Sequence, residues 1–372
     1  MILALRELRR RPGRFVAATA ILTLIALLLM FLGGLLDGLL ASSTGAYRAQ
    51  RADVIVYSAD ARHSLVRSRI TPNQRLQVGK VAGAVAVGGL GSVQLGARLS
   101  TDPSSRRLIS TALFGYELAP RGLPGTPPER GTVIADSSLR SRGVRKGSSL
   151  LLGPRRSPVR VVGFVDDTRY SGQGTLWGSL ETWRDVLTAN RPSQRLGAGV
   201  VQALVVRAHG RPARAVADAI DAATAGATDT LTIAAATDAL PGVSQQRSTF
   251  NQIIGVTVVV ALVVIALFFA LITVERTPLY GILKAIGASS ASLFAGVVAQ
   301  AVVVTLLAST VAGAAALVLA AAIPPGSIPF VITASRLTTS VGLLLLAAVA
   351  GCTFSLRRVL RIDPASAIGT AS

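Results

Sequence analysis

Four stretches of this chain carry no charged residue and are long enough to cross a hydrocarbon core of about 30 Å, which takes about 20 helical residues. They cover residues 15–36, 253–274, 291–323 and 337–356. A chain with four such stretches cannot fold as an ordinary soluble domain, and composition agrees: 51% of residues are hydrophobic, 15% are charged and mean hydropathy is +0.55. The third stretch is longer than one span requires, which implies tilt or a helix continuing into the interface. Pro324 and Pro325 set its far end.

Flanking charge orients the spans, because short segments rich in Arg and Lys stay on the cytoplasmic side. Arg6, Arg9, Arg10, Arg11 and Arg14 precede the first span, Arg276 and Lys284 separate the second from the third, and Arg357, Arg358 and Arg361 follow the fourth. These three regions, and with them both termini, are expected in the cytoplasm of a multi-pass protein of the plasma (inner) membrane. The connection 324–336 carries only Arg336 and is expected outside. The first apolar run exceeds the roughly 7–15 residues of a signal-peptide core, so an uncleaved first span is expected.

Three regions follow: 1–36 with the first span, an inserted extracytoplasmic domain at 37–250, and 251–372 with three spans and the cytoplasmic tail. The insert holds 27 Arg and Lys against 15 Asp and Glu, but long loops translocate largely regardless of charge. Residues 131–136, 149–153, 158–165 and 200–207 read as short strands bounded by Gly and Pro, and 211–223 as a helix entered through Pro212. The predicted fold class is an α-helical membrane protein with four transmembrane helices plus an inserted α+β extracytoplasmic domain. A division of that domain into two lobes stays open.

The sequence offers no catalytic constellation. Gly79-Lys80 is followed by Val81 and lacks the upstream glycine of a phosphate loop. Residues 172–178 approach a dinucleotide fingerprint with the third glycine one place off, and read as a loop. Asp166 and Asp167 are adjacent, and on an extended strand would face opposite ways. Cys352 is the sole cysteine and sits in an apolar run, where a buried thiol is expected; His63 and His209 are the sole histidines and lie far apart. No disulfide or His/Cys metal cage within one subunit is available, and no metal, cofactor or catalytic residue is expected. The formal charge of +20 comes without a basic helix interleaved with aromatics, which make up 5%, so nucleic acid is not an expected partner. Basic residues at membrane flanks and against anionic lipid headgroups account for it. The four charge-free stretches also disfavour an ion-coupled carrier. Any energy source must then be a partner.

The most specific local pattern is Glu275-Arg-Thr-Pro-Leu-Tyr-Gly-Ile-Leu-Lys-Ala-Ile-Gly-Ala-Ser289, between the second and third spans. Ile282, Leu283 and Ile286 recur at helical spacing with Lys284 on another face; Gly281 allows close approach and Gly287 can end the helix. The residues alone fit a helix lying on headgroups and a helix docking on a partner equally well. In the first span, Gly34 and Gly38 stand four apart, a spacing that suits a dimer contact.

This segment resembles the Glu-Arg-x-x-Glu-Ile-Gly-Ile-Leu-Lys-Ala-Ile-Gly-Ala signature of the FtsX/MacB/LolCE-type ABC transporter permeases, a mechanotransmission family. The basic stretch 5–14, the insert after the first span, the 131–165 pattern ending in Val-Val-Gly, and the closing Arg361-Ile362-Asp363-Pro364-Ala365 are similar too. Pro278, Leu279 and Tyr280 depart from the signature. The resemblance implies a permease homodimer whose segment Glu275, Arg276, Gly281, Ile282, Leu283, Lys284, Ile286 and Gly287 docks on a separate ABC ATPase subunit. ATP would be bound by that subunit, so the chain itself would be neither an enzyme nor a cofactor carrier. Family members are thought to push on extracytoplasmic partners or substrates rather than pass cargo through a channel. Two functions fit: export or extraction of a lipidic, peptidic or antibiotic-like substrate, and FtsX-like regulation of a cell-wall hydrolase. A membrane-anchored enzyme or receptor without an ATPase is the third class.

Overall fold

The computed structural model describes residues 12–101, 108–275, 282–283, 286–323 and 328–359. Its main elements, in order, are α1 (Pro12–Arg48), β1 (Val54–Ser58), α2 (Pro72–Gly79), β2 (Ala84–Leu99), β3 (Ile109–Tyr116), β4 (Thr132–Asp136), β5 (Ser149–Leu152), β6 (Ser157–Val165) and β7 (Gly174–Ser179). There follow α3 (Leu180–Asn190), β8 (Ala203–Ala208), α4 (Ala213–Ala223), β9 (Thr228–Thr232), α5 (Ile233–Asp238), α6 (Val243–Glu275), α7 (Ser290–Ala322) and α8 (Ala334–Val359). The chain divides into a helical unit, Met1–Gly38 with Arg247–Pro324 and Phe330–Ser372, and a sheet unit, Leu39–Gln246 with Pro325–Pro329.

In the helical unit, α1, α6, α7 and α8 are the four described helices long and apolar enough to span a membrane. All but α7 run well beyond their charge-free stretches: α1 continues past Leu36 to Arg48, and α6 starts at Val243, ahead of Ile253. Ala301, Val304, Ala308, Ala312 and Ala316 form a buried stripe at helical spacing on α7. They pack with Ala26 of α1, Ala261 of α6, and Ala347 and Ala348 of α8. Lipid tails are as apolar as leucine, so helices in a bilayer associate by close packing, and small side chains permit it. At Gly351 a Cβ would stand 3.0 Å from the Leu262 carbonyl oxygen, so α8 meets α6 nearly backbone to backbone. Hydroxyls inside the spans are satisfied locally: Thr23, Thr257 and Thr273 donate to the carbonyls of Thr19, Ile253 and Phe269. Large apolar side chains such as Leu24, Val260, Leu267 and Val318 point outward, as lipid contact requires.

The sheet unit is organised by β2. Its first half pairs with β8, residues 90–97 pair with β3, and residues 97–99 pair with β5. Two lobes therefore share one strand. The strands β2-β3-β7-β4-β6-β5 close a ring of pairings, while β8-β1-β9 extend from β2 as an open sheet. Inward positions alternate along the ring, for example Val93, Leu95 and Ala97 on β2 and Val159 and Val161 on β6. On the open sheet, Val54, Val56, Leu204 and Val206 are covered by Val216 and Ile220 of α4 and Val78 of α2. Where β2 passes between lobes, Gly91 lies under Trp183 of α3. A Cβ there would be 2.4 Å from the indole, so a larger residue would lift the helix.

A third cluster joins Ile55, Tyr57, Phe114, Tyr116 and Trp177 to Ala46 and Tyr47, from the last turn of α1, and to Val243, the first residue of α6. The Tyr57 hydroxyl lies 3.1 Å from that of Tyr47, and Tyr170 stacks on Tyr47 with centroids 5.8 Å apart.

Two expectations need correction. Residues 172–178 are not a loop: only the turn at Gly172 is, with φ +75°, and Gly174–Ser179 is strand β7 with Trp177 fully buried. Flanking glycines imitated a loop, whereas Gly174 is required by packing, since a Cβ there would lie 2.5 Å from Leu139. Asp166 and Asp167 are not on a strand either. They follow β6 in a bend where Asp167 takes φ +56°, so strand alternation does not apply to them.

Candidate coupling segment and an ion-paired clasp

Of the segment between the second and third spans, Glu275, Ile282, Leu283, Ile286 and Gly287 are described; Arg276, Gly281 and Lys284 lie outside the described residues, as do Ile362, Asp363 and Pro364. Ile282 and Leu283 are helical. Ile286 N–H donates to the Ile282 carbonyl at 3.1 Å, closing a single turn, and Ala288 N–H donates to Leu283 O at 2.9 Å. Gly287 stops the turn in the left-handed region at φ +102°, a position that favours glycine. Ser289 then caps α7, its hydroxyl accepting from Ser292 N–H. Ile282 is 59% exposed and Ile286 78% exposed, while Leu283 is half-buried. Ile282 and Ile286, four residues apart, present an apolar pair on one face of the turn.

The first-span glycines pack within their own chain. Gly34 is buried, and a Cβ on it would lie 2.6 Å from the ring of Phe330 in the same chain. A Cβ on Gly33 would strike the Arg336 side chain. Gly38 is buried as well. The face assigned to a dimer contact at Gly34 is thus filled in cis. Phe330 also packs against Phe31 with centroids 5.3 Å apart, and Val331 N–H donates to the Gly34 carbonyl at 3.0 Å. The segment closes on a bidentate ion pair: Arg336 Nε donates to Asp37 Oδ2 at 3.0 Å and Arg336 Nη2 to Asp37 Oδ1. Both side chains are mostly covered, 23% and 22% exposed. Sequence reading missed this clasp. Its available signal was a lone anion and a lone cation, each beside the end of a charge-free stretch.

Among the described residues, no group of three or more His, Cys, Asp or Glu is placed to hold a metal ion. His63 pairs with Asp229 at 2.7 Å, and Cys352 is fully buried in the helical unit.

Residues 251–364 match the family model of the FtsX-like permease C-terminal domain. Residues 251–364 are thus an FtsX-like permease C-terminal domain. Relatives span the whole permease: a Staphylococcus haemolyticus (strain JCSC1435) protein bearing the name hemin transport system permease HrtB is 20% identical over 373 residues, covering 99% of each chain. An uncharacterized ABC transporter permease of Mycobacterium tuberculosis (strain ATCC 25618 / H37Rv) is 27% identical over 380 residues, covering 98% of each. Among solved structures, the periplasmic region of MacB from Actinobacillus actinomycetemcomitans aligns with a TM-score of 0.35 and 12% identity, covering 50% of this permease and 91% of that chain. The extracellular domain of the ABC-type transporter YknZ aligns with a TM-score of 0.31 and 11% identity, covering 48% and 98%.

Proposed function

We propose that this permease is the membrane subunit of an ABC transporter in which a separate ATPase subunit binds and hydrolyses ATP, and the inserted domain, outside the cytoplasm, performs the work. The work is export or extraction of a lipidic, peptidic or antibiotic-like substrate. The name carried by the staphylococcal relatives makes hemin, an apolar body with acidic groups, one substrate to test. In this reading two permease chains act together, the termini and residues 275–290 are cytoplasmic, and Glu275, Arg276 and residues 281–287 form the coupling segment. The sheet domain's extracytoplasmic partner, if the complex has one, would be found by copurification from native membranes.

The observation that carries the reading is the exposed Ile282/Ile286 pair on a glycine-terminated turn, inside the stretch that matches the FtsX-like permease C-terminal domain. An apolar helical face set into a groove of the ATPase would bury both side chains. Truncating such an anchor commonly costs about 2 kcal/mol, or about thirtyfold in affinity.

Ile286→Asp tests it more cleanly than Leu283→Asp, because Ile286 is the more exposed and its loss leaves packing intact. The variant should insert and fold yet lose ATPase copurification. Wild-type copurification and hydrolysis by a stably expressed Ile286→Asp permease would overturn the coupling role. For orientation, a cysteine at Ser193 should react with an impermeant thiol reagent on intact cells; labelling only after lysis would reverse the topology.

A further inference from the structure

The last turns of α1 lie in the sheet unit, and the turn between β6 and β7, residues 166–173, is packed against them. Three backbone hydrogen bonds join the two. Ser171 N–H donates to the Ser43 carbonyl and Gly172 N–H to the Ser42 carbonyl, both at 3.0 Å, and Ala46 N–H donates to Arg169 O at 3.1 Å. A helix carbonyl has a second lone pair, so Ser42 and Ser43 accept these bonds without leaving the helix. Gly45 permits the approach. A Cβ there would stand 2.6 Å from Asp167 O, 2.8 Å from Arg169 N and 2.9 Å from Arg169 O, all backbone atoms that no rotamer change can withdraw. Beside these contacts Tyr170, 9% exposed, stacks on Tyr47 of α1 and meets Phe114 of β3 edge-on at 5.2 Å.

The turn is as firmly tied to the ring of strands. It is continuous with β6 and β7, and Thr168 gives both its N–H and its hydroxyl to the buried Asp136 carboxylate at the end of β4. Asp167, Ser171 and Gly172 all take positive φ, at +56°, +49° and +75°. Such conformations are costly for residues with a side chain and persist where surrounding contacts over-determine them. The entry to α6 is built differently. α5 ends at Asp238 and α6 begins at Val243, and between them Pro241 and Gly242 are exposed. Gly242 takes φ +82° with nothing within 4 Å of a Cβ position. After Val243, the residues Ser244, Gln245, Arg247, Ser248 and Thr249 are exposed too. The sheet unit thus grips α1 along its side, whereas α6 is attached through a glycine turn.

We propose that residues 166–173 form a permanent joint, made possible by Gly45, through which the ring of strands moves as one body with α1 while the turn at Pro241 and Gly242 flexes. The inference deepens the proposed function by naming the route of the work. It rests on that reading only for the ATPase that supplies the motion.

The joint is tested on the full chain in phosphatidylcholine nanodiscs by hydrogen exchange of residues 166–174. These amides should exchange about tenfold or more faster in Gly45→Ala, and in Tyr170→Ala, than in wild type. Buried emission from Trp177 and Trp183 checks that the ring of strands stays folded in both. Wild-type exchange in both folded variants would overturn the joint. Transmission is read in the complex copurified with its ATPase, with and without ATP and vanadate. Nucleotide should leave 166–174 protected while changing exchange at 239–246 about fivefold or more. Gly45→Ala should abolish that change without loss of copurification, since Ile286 is untouched. Deprotection of 166–174 by nucleotide, no response at 239–246 in wild type, or a response retained in Gly45→Ala would overturn transmission through α1. Failure of the wild-type chain to copurify an ATPase would overturn the proposed function instead, while exchange at 166–174, measured on the permease alone, still decides the joint.

Discussion

Asp37 and Arg336, 299 residues apart, join α1 to α8 through two hydrogen bonds between a carboxylate and a guanidinium. Each side chain is about three-quarters covered, so removing one partner leaves the other poorly solvated. Arg336→Ala or Asp37→Ala should therefore destabilise the helical unit by about 1–3 kcal/mol. The exchanged pair Asp37→Arg/Arg336→Asp should recover part of that loss. Cys352 is the chain's only thiol and is fully buried, so its rate of modification during heating reports the opening of this unit. Equal rates in wild type and both single variants would show the pair to be energetically neutral.

Gly34 and Phe330 form the apolar half of the same clasp. A methyl group at Gly34 would sit 2.6 Å from the ring, so Gly34→Ala must displace it. The expected loss is about 1–3 kcal/mol, the usual range for overpacking. Phe330→Ala in the same chain should relieve the clash, giving less than the sum of the two single losses in the cysteine-modification assay. Strict additivity would mean that the ring does not rest on Gly34.

Asp136 is the buried anchor of the ring of strands. It is 2% exposed, and its carboxylate accepts from the backbone and hydroxyl of Ser138 and from the backbone and hydroxyl of Thr168. Thr168 continues to Thr175, whose hydroxyl accepts from the Trp177 indole N–H. Asp136→Ala should destabilise the sheet unit by about 3 kcal/mol or more, because several donors lose a charged acceptor together. Both tryptophans of the chain lie buried in this unit, so urea denaturation followed by their emission measures it directly. An unchanged midpoint would show that water replaces the carboxylate without loss.

Alkali should act on the sheet unit through its tyrosines. Burial pushes the Tyr116 hydroxyl up to about 12, and burial likewise raises Tyr57 and Tyr170. An unfolded tyrosine ionises near 10. A raised folded value means that the neutral form is favoured by folding. That contribution is whole below pH 10 and is lost as pH climbs towards 12 and beyond, at about 1.4 kcal/mol per pH unit for each such group. The urea midpoint read by tryptophan emission should fall between pH 10 and 12, and fall less in Tyr116→Phe. A flat profile across that window would contradict the burial of these hydroxyls.

What the sequence determined by itself is everything that depends on local pattern. Charge-free length set four helices, because helical rise and bilayer thickness leave one solution. Alternation bounded by glycine and proline marked β4, β5, β6 and β8, and Pro212 marked the entry to α4. The Gly287 stop was legible for the same reason: only a residue without a side chain sits easily at that φ. Tertiary structure alone decided which strands β2 would pair with along its length, and so the two lobes, since three partners compete for one strand and register depends on all of them. It also decided that Gly34 would receive Phe330, 296 residues away in the chain. Most of all it placed Arg336 on Asp37. No local signal encodes contacts between residues so far apart in the chain; they arise when packed helices and strands leave a partly buried charge one geometry to occupy.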